Sequence, residues 1–270
     1  MGFSVLMSVY EKEKPEYFLA ALQSVIHQTL QPDEIVLMED GQLTDELYQV
    51  IDTVKIEYPN LRPYPSKENQ GLGLSLKRGV SLCENELIAR MDTDDIAKSN
   101  RFELQYRYMT EHAEVAALGG FMEEFSEEDK EYHKIKKMPL EMSEIRKYAR
   151  YRNPLNHMTV MFRKSAVLEA GGYRHFPYLE DYDLWVRMLA KGACFHNLDI
   201  TLVMARCDND IYGRRGGVSY CKQYLKLTRQ QYDLKLLRFL EYQVAKLLTI
   251  AMTIQPKGLR KAVYRKVLRR

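Results

Sequence analysis

No CxxC pair occurs, no apolar run approaches the ~18 residues that a membrane-spanning helix needs, and there is a single tryptophan. The four cysteines, Cys83, Cys194, Cys207 and Cys221, are scattered without the spacing of a zinc site or a disulfide framework, which fits a reducing cytoplasm. His27, His112, His133 and His175 show no ligand spacing with one another. Neither GxGxxG nor GK[ST] is present, so a dinucleotide fingerprint and a P-loop both lack support. The opening "GFSVLMSVY" has no basic leader and runs directly into "EKEK", so a secretory signal peptide is not expected.

What is present is globular. With 46% hydrophobic and 29% charged residues, the 270-residue chain can bury a substantial core as one large domain with an appendage. Its net charge of +3 conceals an asymmetry, because Lys257 to Arg270 carries seven basic residues and no acid, leaving −4 on the first 256 residues.

The first hundred residues alternate apolar runs with amphipathic segments. "FSVLMSV", "DEIVLME", "LRPYP" and "NELIARM" read as strands; Pro15 to Gln28, Asp45 to Glu57 and Leu72 to Leu82 read as the helices between them. This order predicts an α/β fold with a mostly parallel sheet covered by helices on both faces, in which ligands bind beyond the carboxyl ends of the strands. Farther on, Arg101 to His112 reads as helix, Val115 to Phe125 as extended, "HMTVMFR" as strand, and "KSAVLEAGGY" and "EDYDLWVRMLAKG" as helices stopped by glycines. From about Tyr220 the pattern is helical, and Leu237, Leu240, Val244, Leu247 and Ala251 mark one apolar face. The expected organisation is an α/β domain over 1–218 and an amphipathic, basic helical extension over 219–270.

Polar clusters gather at three of those strand ends: Ser8, Tyr10 and Glu11; Glu39 and Asp40; and "DTDD", Asp92 to Asp95. Carboxylates crowded as in DTDD either splay into water as an acidic turn or hold a hard cation such as magnesium or manganese. "LEDYDLW" places Glu180 and Asp181 directly before a helix, where they serve as capping acids or as a general base. In "NQGLGLSLKRG" the glycines suit a loop whose backbone approaches a ligand.

Taken in order, "SVLMSVYEKE", "PDEIVLMEDG", "NQGLGLSLKRG", "ARMDTDD", Arg101 with Gln105, "NPLNHMTVMFRKSAV", "GGY" and "LEDYDLW" resemble the family 2 glycosyltransferases of GT-A fold. The likeness is to bacterial enzymes of capsular and exopolysaccharide assembly, and it spans about Phe3 to Trp185. The resemblance implies an inverting sugar transfer from a nucleotide sugar, UDP-linked, with a divalent cation. It places Ser8, Val9, Tyr10, Glu11 and Asp40 in the nucleotide pocket, with Asn69, Arg90, Asp92 and Glu180 also on the donor. It assigns the metal to Asp92 and Asp94, with Asp95 as a supporting acid, and the catalytic base to Asp181.

Asn156 and His157 stand where the family lines its acceptor or donor pocket. Trp185 is a second acceptor candidate, with core packing as its alternative. Arg214 and Arg215 in "GRRGGVS" fall where relatives carry a basic loop over the diphosphate; a basic surface turn is the competing reading.

Leu259, Val263 and Val267 keep an apolar stripe through the basic tail, the pattern of a helix in an anionic membrane interface. A solvated helix packed on the body is the alternative. Nucleic acid is not expected as a partner, because the acidic body offers no wider basic face. The implied acceptor is a polyprenyl-diphosphate-linked glycan met at the inner leaflet. Two rival functions remain open: a sugar nucleotidyltransferase, against which "SVYEKEKPEY" lacks a Gly-rich loop after the first strand, and a non-catalytic nucleotide- or glycan-binding module.

Overall fold

Alternation of side chains splits the first strand between two hydrophobic clusters, and a sheet covered on both faces follows. In the computed structural model, which describes residues 2–207 and 216–253, Phe3, Val5, Met7 and Val9 of β1 (Phe3–Val9) face one cluster and Leu6 the other. α1 (Pro15–Ile26) and α2 (Asp45–Glu57) cover the first face; α3 (Leu72–Leu82) covers the second. With β2 (Glu34–Glu39), β3 (Leu61–Pro65) and β4 (Leu87–Arg90), β1 forms a parallel array in the order β3-β2-β1-β4. The order reverses beside β1, so a crevice opens at the carboxyl ends of β1 and β4.

Beyond β4 the sheet is mixed. The elements are β5 (Ile96–Ala97), α4 (Arg101–Glu111), β6 (Val115–Phe125), β7 (His133–Lys136), α5 (Met142–Tyr148), a 3-10 turn (His157–Thr159), β8 (Met161–Arg163), α6 (Lys164–Glu169), α7 (Glu180–Ala190) and β9 (Cys194–Arg206). β8 lies antiparallel to both β4 and β6, β9 is parallel to β6, and β5 is antiparallel to β9. The expected parallel sheet thus holds for the first four strands only. β8 begins beside the carboxyl end of β4, where Arg90 N–H donates to the Val160 carbonyl at 2.8 Å, and so must run the other way. "HMTV" is a 3-10 turn before the strand, and β9 and the hairpin strand β7 were not isolated in the sequence.

The continuous C-terminal helix expected from Tyr220 is two helices, α8 (Val218–Asp233) and α9 (Phe239–Thr253), broken where Lys235 takes φ 61°. They run antiparallel, since Gly217 N–H at the start of α8 reaches the Thr253 carbonyl at the end of α9 (3.1 Å). α8 packs on α7, with Leu227 among Phe176, Leu179, Tyr182 and Val186. Among the described residues no helix is long and apolar enough to cross a membrane. The basic segment from Lys257 to Arg270 lies outside the described residues.

Candidate active site

The crevice at the end of β1 and β4 collects acid. Carboxylate oxygens of Asp92, Asp94 and Asp95 lie within 4.8 Å of one another. Thr93 fastens this turn to the β1–α1 loop, donating to the Glu13 carboxylate at 2.8 Å and approaching the Ser8 carbonyl at 3.4 Å. Burial first, then the charge of Asp92, pushes Asp94 up to about 7. Asp95 is raised well above the ordinary carboxylate value by burial and then by Asp94, although its Oδ1 accepts the Arg206 N–H at 2.9 Å. Three hard oxygen donors short of positive charge suit a divalent cation.

Arg90 is the cation these acids have. It is buried and paired with Asp92 through Nη2, while its Nε and Nη1 find no partner. Burial opposes its charge, but Asp92, with Tyr173 and Asp95, more than offsets burial and raises its pKa. The strand end that aims it is held by Arg101, whose Nη2 donates to the Arg90 carbonyl at 2.7 Å and whose Nε donates to Gln105 at 3.0 Å. Gln105 in turn donates to the carbonyls of Leu118 (3.0 Å) and Thr159 (2.8 Å), joining β4, β6 and the 3-10 turn. The Arg/Gln pair of the sequence is a buried clamp, and burial lowers Arg101 to about 9.

At the carboxyl end of β1, Tyr10 and Glu11 are exposed, and Ser8 shares a 2.9 Å hydrogen bond with Ser75 of α3. The Val9 side chain is buried in the core, a correction to its placement in the pocket; its carbonyl accepts the Asp40 N–H at 2.8 Å and so sets Asp40. Asp40 accepts the backbone N–H groups of Gln70 (2.8 Å) and Gly71 (3.0 Å), holding the loop that contains Asn69 against β2. Burial raises Glu39. The glycines of α3 serve protein packing: a Cβ on Gly73 would sit 2.1 Å from the Arg174 carbonyl oxygen, and one on Gly79 would sit 2.4 Å from Leu6 Cδ1, whereas Gly71 in the loop before the helix takes φ 84° and has open space at its Cβ position. Gly73 thereby brings α3 against the residues that lead into α7.

The second acidic group opens α7, where Glu180, Asp181 and Asp183 occupy the first turn and gain from the macrodipole. Asp183 is committed to structure, paired with Arg187 at 2.6 Å and accepting from Gln230 at 2.8 Å. Asp181 accepts the Tyr182 N–H at 2.7 Å through Oδ1 and the Asn153 side-chain amide through Oδ2. Burial raises its pKa in spite of these bonds, and burial takes Glu180 up to about 7. The charge of Arg90 favours the ionised forms of Asp181, Glu180, Asp94 and Asp95 alike, so it is within electrostatic reach of both acidic groups. His157 joins the Tyr173 hydroxyl at 2.9 Å and is held neutral by burial and then by Arg90. Asn156 donates to the Gly120 carbonyl at 3.0 Å and keeps a buried, unpartnered Oδ1.

Trp185 is 0% exposed, packed against Phe195 and His157, and is a core residue; the acceptor role given to it from the sequence does not hold. It follows the apolar stripe of α7, which the sheet covers. Arg214 and Arg215 lie outside the described residues. The sequence missed Glu13, whose pKa burial raises and which borders the triad; it sits in a charged run with nothing in its spacing to mark it. Asn153 and Tyr173 were missed too, although both lie inside quoted motifs.

Comparison with known proteins agrees with this geometry. The family model described as glycosyl transferase family 2 matches residues 4–172. The amylovoran biosynthesis glycosyltransferase AmsE of Erwinia amylovora is 39% identical over 267 residues, covering 98% of each chain. An Escherichia coli protein named UDP-Gal:alpha-D-GlcNAc-diphosphoundecaprenol beta-1,3-galactosyltransferase is 35% identical, over 99% of this chain and 97% of its own. Among solved structures, TarS 1-349 of S. aureus in complex with UDP-GlcNAc superimposes with a TM-score of 0.69 at 16% identity, over 99% of this chain and 76% of that one, a likeness of fold. With a matching family model, full-length relatives and a GT-A architecture, the chain belongs to glycosyl transferase family 2.

Proposed function

We propose that the protein is a metal-dependent, inverting hexosyltransferase that moves a sugar from a UDP-linked donor to a hydroxyl of a lipid-linked glycan in cell-surface polysaccharide synthesis. The observation that carries this is the division of acids around Arg90: a triad fit for a cation on one side and a separately held carboxylate, Asp181, on the other. The names of the E. coli and Erwinia relatives support the donor and the polysaccharide setting.

Asp181 takes the proton of the acceptor hydroxyl. Its oxygen attacks the anomeric carbon from the face opposite the nucleotide, the bond from that carbon to the diphosphate oxygen breaks, and the configuration inverts. Burial of Asp181 strengthens it as a base, and Asn153 and the Tyr182 N–H fix its direction. His157, Asn156 and Glu180 line the ground between the two acidic groups. Ser8, Tyr10, Glu11, Asp40 and Asn69 receive the nucleoside, and Arg90 receives the donor beside Asp92. Arg214 and Arg215 would meet the diphosphate.

Asp92 and Asp94, supported by Asp95, would hold manganese or magnesium, which when bound supplies charge stabilisation for the departing diphosphate. Residues 1–218 form the catalytic unit and 219–270 its extension. The acceptor, on a polyprenyl diphosphate, is met at the inner leaflet, where the protein sits as a peripheral, cytoplasmic enzyme. A screen of UDP-sugars for transfer and hydrolysis, with UDP titrated in manganese and in chelator, tests the proposal. UDP affinity that ignores both chelator and Asp94→Ala would overturn the metal assignment. Binding without turnover in either wild type or Asp181→Ala would overturn catalysis.

A further inference from the structure

The apolar residues of α9 point the wrong way for a helix that only packs on its protein. Ala245 and Thr253 are its buried positions, whereas Leu240 is 75% exposed, Leu247 68% and Phe239 59%, and Val244, Leu248 and Ile250 are exposed with them. Spacings of four, seven and eight from Leu240 place Val244, Leu247 and Leu248 on one stripe, opposite the side that rests on α8. No charged side chain interrupts this stripe.

Its surroundings are basic. The described hairpin, residues 218–253, holds six basic and two acidic side chains. Both acids are neutralised within the described structure: Asp233 pairs with Arg229 at 2.9 Å, and Glu241 pairs with Arg150 at 2.6 Å. An exposed leucine stripe set in a helical hairpin with a net positive charge fits one surface in particular, a bilayer whose headgroups are anionic. Two copies of the chain paired through this face would instead bring segments of the same sign together.

The hairpin is tied to the catalytic helix. Gln230 donates to Asp183 at 2.8 Å, Gln231 donates to the Ala149 carbonyl at 2.7 Å, and Arg150 bridges to α9 only three residues before Asn153, the partner of Asp181. We infer that the exposed face of α9 is a docking surface for anionic lipid, which fastens the membrane to the element that carries the base; the purpose given to it, though not the binding, rests on the lipid-linked acceptor proposed above.

The test uses the full chain, sedimented with vesicles of phosphatidylcholine alone or mixed with phosphatidylglycerol, in the absence of acceptor and nucleotide sugar. The protein is expected to bind the phosphatidylglycerol vesicles and to be weakened by salt. Leu240→Gln with Leu247→Gln should lower partitioning about tenfold or more at fixed salt, while Ile56→Gln, an exposed apolar position on α2, leaves it unchanged. Wild-type partitioning of the double variant would overturn the inference, because basic charge alone would then account for binding. A concentration-dependent dimer that the double variant dissolves would overturn it as well. UDP-sugar turnover is measured separately without vesicles: lipid binding with no turnover sinks the proposed function and leaves this surface standing, and turnover with no lipid binding does the reverse.

Discussion

Asp181, the proposed base, has its two oxygens already engaged by one backbone N–H and one side-chain amide. Orientation is therefore set before an acceptor arrives, and basicity comes from burial. Asp181→Asn should keep the shape and lose the proton acceptor, lowering kcat by about a hundredfold or more with little change in the KM for the donor, as steady-state kinetics would read. The pH profile has a definite sign. Transfer needs the carboxylate ionised, and the Asp181 pKa is raised, so kcat/KM should climb from the acid side and level off at a pH above that of an ordinary aspartate. Asn153→Ala removes a bond that favours the ionised form and should move this limb to still higher pH.

At the scale of elements, the site is made by close approaches that small or clamped residues allow. Gly73 sets the first turn of α3 against the Arg174 carbonyl and against Glu180, whose Cγ a new Cβ would meet at 2.9 Å. Alanine raises helix propensity by about 1 kcal/mol, but a backbone oxygen cannot move aside as a side chain does, and overpacking costs about 1–3 kcal/mol. Gly73→Ala should therefore destabilise in a denaturant titration and reduce turnover by displacing the start of α7. The Arg101–Gln105 clamp is the other such device. Gln105→Leu leaves the buried carbonyls of Leu118 and Thr159 without donors, at about 1–3 kcal/mol each, and loosens the strand end that aims Arg90.

For the molecule as a whole, the acidic triad links stability to pH and, under the proposed assignment, to metal. Asp94 lies near 7 in the folded state and near 3.8 when exposed, and Asp95 is raised in the same direction. Between those values the folded form holds more protons than the unfolded one, so stability is greatest on the acid side and falls as pH rises from about 4 to about 7. A divalent cation held there, as proposed, would replace those protons. Manganese should raise Tm at pH 7.5 by more than at pH 5, an increment that Asp94→Asn reduces, measured by thermal unfolding in chelator and in metal.

The sequence by itself determined the alternation of the first hundred residues, and hence the parallel half of the sheet and the crevice where DTDD falls, because strand and helix periodicities are local and strand ends are where such sheets bind. It also brought Asp92, Asp94 and Asp181 forward, but through the order of the motifs that resemble the family, since by residue type alone these acids read equally as a solvated turn and as helix caps. Only the tertiary structure decided the antiparallel partners of β4, the break that turns the C-terminal helix outward, and the fate of Trp185, whose apolar stripe is the same whether it faces a sheet or a sugar. Partners distant in the chain decided these: Val160 beside Arg90, Arg150 beside Glu241, Asn153 beside Asp181. Contacts of that kind depend on how the whole chain closes upon itself, which no local spacing records.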